Sequence, residues 1–132
     1  MNNNIDPVLR SDLEHIAAVK QYGNAITAAP AIETIITVDE NEDVTALIDR
    51  QTCRLARAPQ SFYLKDIIAM HQRAIADGYD EMIDSASLMI HYGKKLHLVA
   101  GPAENIKITT PSDFYIFKAI REARENMQIL GI

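Results

Sequence analysis

Two cations in this chain sit where a phosphate could be held. Arg50 follows Asp49 directly after a β-rich stretch, and Lys107 lies in Asn105-Ile-Lys-Ile-Thr-Thr110, just before a helix-start signal at Thr110-Pro111. A cation at a strand end that faces a helix N-terminus suits an anion. On spacing alone an ordinary solvated surface charge is the better reading of each. Other chemistries are weaker. Asp39-x-Asn41-x-Asp43 opens like a calcium loop, but Val44 stands where that loop needs glycine and Arg50 where it needs a bidentate glutamate. A solvated hairpin tip fits that run better. His15, His71, His91 and His97 include no i, i+4 pair and no zinc-ligand spacing. Cys53 has no histidine beside it, and no Gly-x-Ser-x-Gly elbow is present. The five glycines are isolated, so no glycine-rich loop offers backbone amides to a triphosphate.

The elements that must carry these residues follow from patterning. Ser11-Asp-Leu-Glu14 reads as a capping box, and Leu13, Ile16, Ala17 and Val19 recur at helical spacing until Gly23. Ala25–Thr27 reads as a short buried strand that Ala29-Pro30 breaks. Residues 33–38 and 44–48 are β-rich and flank the acidic run, which predicts a hairpin arm over 33–49. Residues 54–62 contain Pro59 and read as irregular. Leu64–Asp77 predicts an amphipathic helix with Leu64, Ile67, Ile68, His71 and Ile75 on its packed face, and Gly78 ending it. Asp84 is a natural N-cap for a second helix that Gly93 terminates. Residues 96–100 and 105–109 predict strands, and Thr110-Pro111 opens a last helix carrying Phe114, Phe117, Ile120 and Met127. Alternating strands and helices predict an α/β fold with a partly parallel sheet.

Composition bounds what such a fold does. At 132 residues the chain suits one domain with its own core, and its 48% hydrophobic and 23% charged fractions are those of a globular protein. A net charge of −5 with scattered Lys and Arg argues against nucleic acid as partner. One cysteine excludes an internal disulfide and suits a reducing compartment. The start lacks a signal-peptide pattern and no apolar run is long enough to span a bilayer, so a cytoplasmic protein with no membrane partner is expected.

Five segments carry a resemblance. Ala28-Ala-Pro-Ala-Ile-Glu-Thr-Ile35, Leu47-Ile-Asp-Arg50, Ala58-Pro-Gln-Ser-Phe62, Ile83-Asp-Ser-Ala-Ser-Leu88 and Asn105-Ile-Lys-Ile-Thr-Thr-Pro111, the last followed by Asp113, occur in order. Together they resemble the 2-C-methyl-D-erythritol 4-phosphate and ribitol 5-phosphate cytidylyltransferases, from about Ala17 to the final helix. The resemblance implies transfer of CMP from CTP to a sugar-alcohol phosphate with loss of pyrophosphate, serving isoprenoid or surface-polysaccharide precursors, usually with Mg2+. It implies an incomplete Rossmann-like nucleotidyltransferase sheet with a protruding β-hairpin arm, in one partial domain over residues 1–132. It implies a homodimer in which Thr34 and Arg50 approach the substrate phosphate of the partner subunit. Lys107 and Arg50 become the catalytic cations, Thr34, Arg50 and Asp84 substrate-binding residues, and Asp6 a metal ligand carried over from the family's central acidic segment. The family's glycine-rich loop and its Pro-Lys-Gln segment are absent, so a missing N-terminal nucleotide-binding half, supplied by a complementing chain or a longer product, is expected. The alternative is a non-catalytic remnant or dimerisation module. Ala58 and Ile83 stand where the family usually has threonines. That favours an acceptor other than the erythritol phosphate, because sites built around a hydroxyl contact discriminate sharply.

Overall fold

A computed structural model of the chain describes residues 7–131. Those residues form two compact units, one ending at Gly101 and the other beginning at Pro102. The first unit opens with helix α1 (Pro7–Tyr22), then strand β1 (Asn24–Pro30), the hairpin β2 (Ile35–Val38) and β3 (Val44–Ile48), and strand β4 (Arg54–Phe62). Helices α2 (Leu64–Asp77) and α3 (Ser85–His91) and strand β5 (Leu98–Ala100) complete it. The second unit carries α4 (Pro111–Leu130).

The main sheet has the order β4-β1-β5, with β4 antiparallel and β5 parallel to β1. β1 is central, and six of its seven residues are buried. Its run of small residues lets helices approach both faces. Ser61 and Gln60 are neighbours on β4 and therefore point to opposite faces. Ser61 meets His15 of α1, while Gln60 meets Asp84 and Ala86 at the start of α3. The sheet is thus sandwiched between α1 and α3. Its core is made of Ala25, Ile26, Ala28, Ala29, Leu88, Met89 and Val99, with Leu88 0% exposed.

Two polar devices lock this core. His15 is 2% exposed, and its Nδ1 and Nε2 lie 2.8 Å from Ser61 Oγ and 2.7 Å from Thr27 Oγ1. Burial lowers its pKa, against smaller opposing effects of Asp12 and Glu14, so the neutral ring is favoured. Asn24 spans the start of β5: its Nδ2 donates to the Lys95 carbonyl and its Oδ1 accepts from the His97 amide, each at 2.9 Å. Gly101 follows β5 and donates to the Ala28 carbonyl at 2.9 Å, and a Cβ there would run into the Thr27 side chain. Only glycine fits that close approach.

Several expectations are corrected. Residues 54–62 are a strand, because the β1–β4 register shifts between Ile26 and Thr27 and forms a bulge at Ala58 and Pro59. An edge strand with a bulge is where a proline is tolerated. The same pairing carries β1 through to Pro30, opposite Arg54. Ser11 does not cap α1; the helix starts earlier, at Pro7, whose fixed φ suits a first turn. Residues 105–109 are not a strand, and no strand pairs with them among the described residues. β5 is shorter than expected, starting at Leu98. In α2 the buried position is Ala74, with Ile67 and Met70 half-buried; Leu64, Ile68, His71 and Ile75 are exposed. The helix buries its small residue and packs against α3, leaving the larger apolar stripe outside.

Candidate functional site

The hairpin arm forms where the sequence places it, and its tip is held by local bonds. Asp39 accepts from the amides of Asn41 and Asp43 at 2.8 and 3.1 Å, and Glu42 takes a positive φ of 64°. Asp39 Oδ1 thereby holds the turn of the hairpin tip. Thr37 and Thr45 share a 2.7 Å bond across the strands. Ile36, Val38, Val44 and Leu47 all remain exposed, so the arm presents apolar side chains outward.

The closing pair of the arm is Ile35 with Ile48. Thr34 immediately precedes it and Asp49-Arg50 immediately follow it. The hairpin therefore brings Thr34 and Arg50 to the same end of the arm. Arg50 Nη1 donates to the Ile32 carbonyl at 2.8 Å, which ties the two sides of the arm's base together. No carboxylate pairs with its guanidinium among the described residues, and the side chain stays exposed. Behind it, Asp49 organises a turn through Gln51 and Thr52. Thr34 is also exposed. A hydroxyl and a cation with spare donors at one hairpin base are suited to a phosphate.

Asp84 is placed differently. It is the N-cap of α3: one carboxylate oxygen accepts from the Ser87 amide at 2.8 Å and the other from Gln60 Nε2 at 2.8 Å. The Ser87 amide bond, followed by the Gln60 bond, lowers its pKa. Gln60 also accepts from the Ala86 amide at 3.1 Å, linking β4 to the helix start. Gln60 thus joins β4 to the start of α3, a link that the sequence pattern did not point to. Ile83, at the position of a usual family threonine, is 93% exposed, and the Ala58–Pro59 peptide is cis.

Within the second unit, Lys107 is exposed and lies in an extended stretch between the turn at Pro102–Asn105 and α4. Thr110 caps α4 with Asp113 as its capping-box partner, and Asp113 accepts from the Thr109 and Thr110 amides at 2.9 and 2.7 Å. The Thr110 bond, then the Thr109 bond, lowers the Asp113 pKa. This box fixes the chain immediately after Lys107.

The expected metal ligand, Asp6, lies outside the described residues. Among the described residues no group of three or more His, Cys, Asp or Glu could hold a metal ion. Asp84 and Asp113 are committed to helix caps and do not fit as ligands.

Residues 7–123 match the family described as IspD, 2-C-methyl-D-erythritol 4-phosphate cytidylyltransferase. The chain belongs to that family. It is 47% identical over 133 residues to a ribitol-5-phosphate cytidylyltransferase of Vibrio parahaemolyticus, covering 99% of this chain and 56% of that protein. It is 42% identical over 134 residues to the protein of the same name from Streptococcus agalactiae, covering 100% of this chain and again 56% of the relative. Among solved structures, 4-diphosphocytidyl-2C-methyl-D-erythritol synthase from Anaerococcus prevotii superposes with a TM-score of 0.74 at 27% identity, covering 84% of this chain and 51% of that one. The chain thus spans little more than half the length of these relatives. Its sheet is part of the family's Rossmann-like α/β nucleotidyltransferase fold, with the β-arm as an addition. No helix among the described residues is long and apolar enough to cross a membrane.

Proposed function

We propose that this chain is the acceptor-binding portion of a cytidylyltransferase that transfers CMP from CTP to a ribitol 5-phosphate-type polyol phosphate. The observation that carries the reading is the arm base, where Thr34 and an Arg50 without a carboxylate partner meet at the closing pair of the hairpin. Arg50 holds the acceptor phosphate bidentately. An oxygen of that phosphate attacks the α-phosphorus of CTP, the bond to the β-phosphate oxygen breaks, and pyrophosphate leaves. Such chemistry needs mostly positioning and cationic stabilisation of spreading charge. Lys107 supplies a second cation, presented by a segment that the Thr110–Asp113 box fixes. Mg2+, which the family reading implies, would supply charge neutralisation at the triphosphate, and Asp6 is the residue of this chain that would help to hold it. Asp84 acts indirectly, by setting the start of α3 beside Gln60.

The acceptor is assigned from two directions. Ribitol-5-phosphate relatives match at 47% and 42% identity. Ala58 and Ile83 replace threonines that an erythritol-type site would use, which disfavours that acceptor. The exposed apolar residues of the arm support a homodimer in which each arm reaches a second copy. The single-domain assignment over residues 1–132 and the role of Asp6 belong to this same reading, as does a segment corresponding to the rest of the relatives' length.

Pyrophosphate release from CTP tests it. The 132-residue chain is assayed alone, and with a polypeptide supplying the remaining part of the Vibrio parahaemolyticus relative. Ribitol 5-phosphate and 2-C-methyl-D-erythritol 4-phosphate are offered in turn. The expected result is no release by the chain alone and release with ribitol 5-phosphate on completion. No release with either acceptor after a complex has formed overturns the reading.

A further inference from the structure

One side chain ties the bulge of β4 to the start of α3. Gln60 Nε2 donates to Asp84 Oδ2 at 2.8 Å, while its Oε1 accepts from the Ala86 amide at 3.1 Å. Asp84 meets the same helix start with its other oxygen, accepting from the Ser87 amide at 2.8 Å. Ser87 Oγ in turn accepts from the Ile83 and Asp84 amides at 3.1 and 3.0 Å. The loop before Ile83 is pinned at its other end, where Tyr79 stacks on His91 of α3 with ring centroids 3.8 Å apart. Ile83 therefore combines a fixed backbone with a side chain that is 93% exposed.

Packing already holds α3 without this network, through buried Ala86, Leu88 and Met89. The bonds of Gln60 replace bonds to water near the surface, and their gain is about offset by the rotamer freedom that the side chain loses. What they set is position. β4 forms a bulge at Ala58 and Pro59, and bulges re-aim the strand that carries them. Both residues are exposed. Ala58 lies two residues before Gln60, and Ile83 lies one before Asp84. A single 2.8 Å bond thus joins the two segments in which the family usually has threonine.

We propose that Gln60 is a positioning residue that holds Ala58 and Ile83 as an unyielding apolar lip, selecting a linear polyol phosphate over a branched one. The side chains of such a lip offer no hydrogen bond, so a polyol meets it through C–H groups. Every internal carbon of a linear polyol carries a hydrogen. The branched carbon of a 2-C-methyl polyol carries a methyl and a hydroxyl and has no hydrogen to turn toward the lip. An oversized group is accepted where the wall can retreat and rejected where it cannot. Selectivity therefore needs the lip held, and Gln60 holds it. This inference rests on reading the chain as an acceptor-binding portion, and it adds the residue that sets the choice of acceptor.

The test uses the 132-residue chain completed as above, with CTP and each acceptor in turn. Gln60→Glu sets two carboxylates against each other, and Asp84→Asn sets two amide donors against each other. The double variant Gln60→Glu/Asp84→Asn restores the bond with its polarity reversed. The new amide donates to the new carboxylate, which still accepts from the Ala86 amide, and asparagine caps a helix as well as aspartate does. In each single variant the preference for ribitol 5-phosphate over 2-C-methyl-D-erythritol 4-phosphate, as a ratio of kcat/KM, is expected to fall roughly tenfold. KM for ribitol 5-phosphate rises while KM for CTP stays, and the double variant returns both quantities to within about twofold of the parent. Amide exchange at Ile83–Ser87 in the 132-residue chain should quicken in the single variants and recover in the double. Should Gln60→Glu lose its circular dichroism signal, Asp84→Asn and the double variant carry the comparison. Faster exchange with an unmoved preference makes Gln60 a structural tie alone and overturns the proposal, as does a preference that the double variant fails to restore. A parent that releases no pyrophosphate with either acceptor removes the function reading and this proposal together; a parent that turns over with its preference unmoved in the single variants removes this proposal only.

Discussion

His15 and Arg50 are both basic side chains that bond across the chain, and their surroundings give them opposite uses. His15 sits inside the α1–sheet interface with each ring nitrogen occupied by a hydroxyl. Nothing on it is left for a ligand. Arg50 stands at the exposed base of the arm, where one bond to the Ile32 carbonyl orients it and its other donors face water. The lesson concerns which polar groups a fold consumes. Where water is excluded, an unsatisfied polar atom is costly and partners are found within the protein. A hydrated cation keeps its donors at little cost and can exchange water for phosphate.

That contrast can be broken most severely from the His15 side. His15→Leu leaves the fully buried Thr27 hydroxyl without its partner, with a smaller effect at half-buried Ser61. A buried hydroxyl left unsatisfied costs about 1–3 kcal/mol, so the urea midpoint is expected to fall with an unchanged slope. An unshifted midpoint would mean the clamp contributes nothing. Arg50→Ala should do the reverse. Its stability change is expected within about 0.5 kcal/mol, while kcat/KM of the completed enzyme falls about tenfold to a hundredfold, as for loss of a charged hydrogen bond. Equal loss of folding and rate would return Arg50 to a structural role.

The smallest effect is in pH. Burial holds the His15 pKa below its ordinary 6.5, so between the two values the unfolded chain binds more protons than the folded one. This contribution to stability is complete above pH 6.5 and is lost as pH falls through that value toward the depressed folded pKa. Urea midpoints measured across this window should drop with acidification in the parent and drop less in His15→Leu. Parallel curves for the two proteins would remove His15 as the source.

Much of the local architecture was legible because it rests on local bonds. The glycines after α1, α2 and α3, the Asp84 and Thr110 caps and the arm's two strands all depend on residues within a few positions of one another. The resemblance carried the family. The misreadings share a cause in distant partners. Pro59 suggested an irregular stretch because the bulge that accommodates it is a property of the β1–β4 register. The apolar stripe of α2 suggested a packed face, yet the small Ala74 is the residue that is buried. Residues 105–109 have strand-like composition but lack a strand partner among the described residues.

Turns, caps and the arm, with Thr34 and Arg50 flanking one hairpin, follow from local sequence, since pairing across a short loop is set by its own residues. That His15 is a buried clamp, that Gln60 joins β4 to α3 through Asp84, and that α1 has a second apolar face exposed are visible only in the folded chain. Those facts depend on which faces meet across tens of residues, and side-chain period alone does not say which of two apolar faces the core will take.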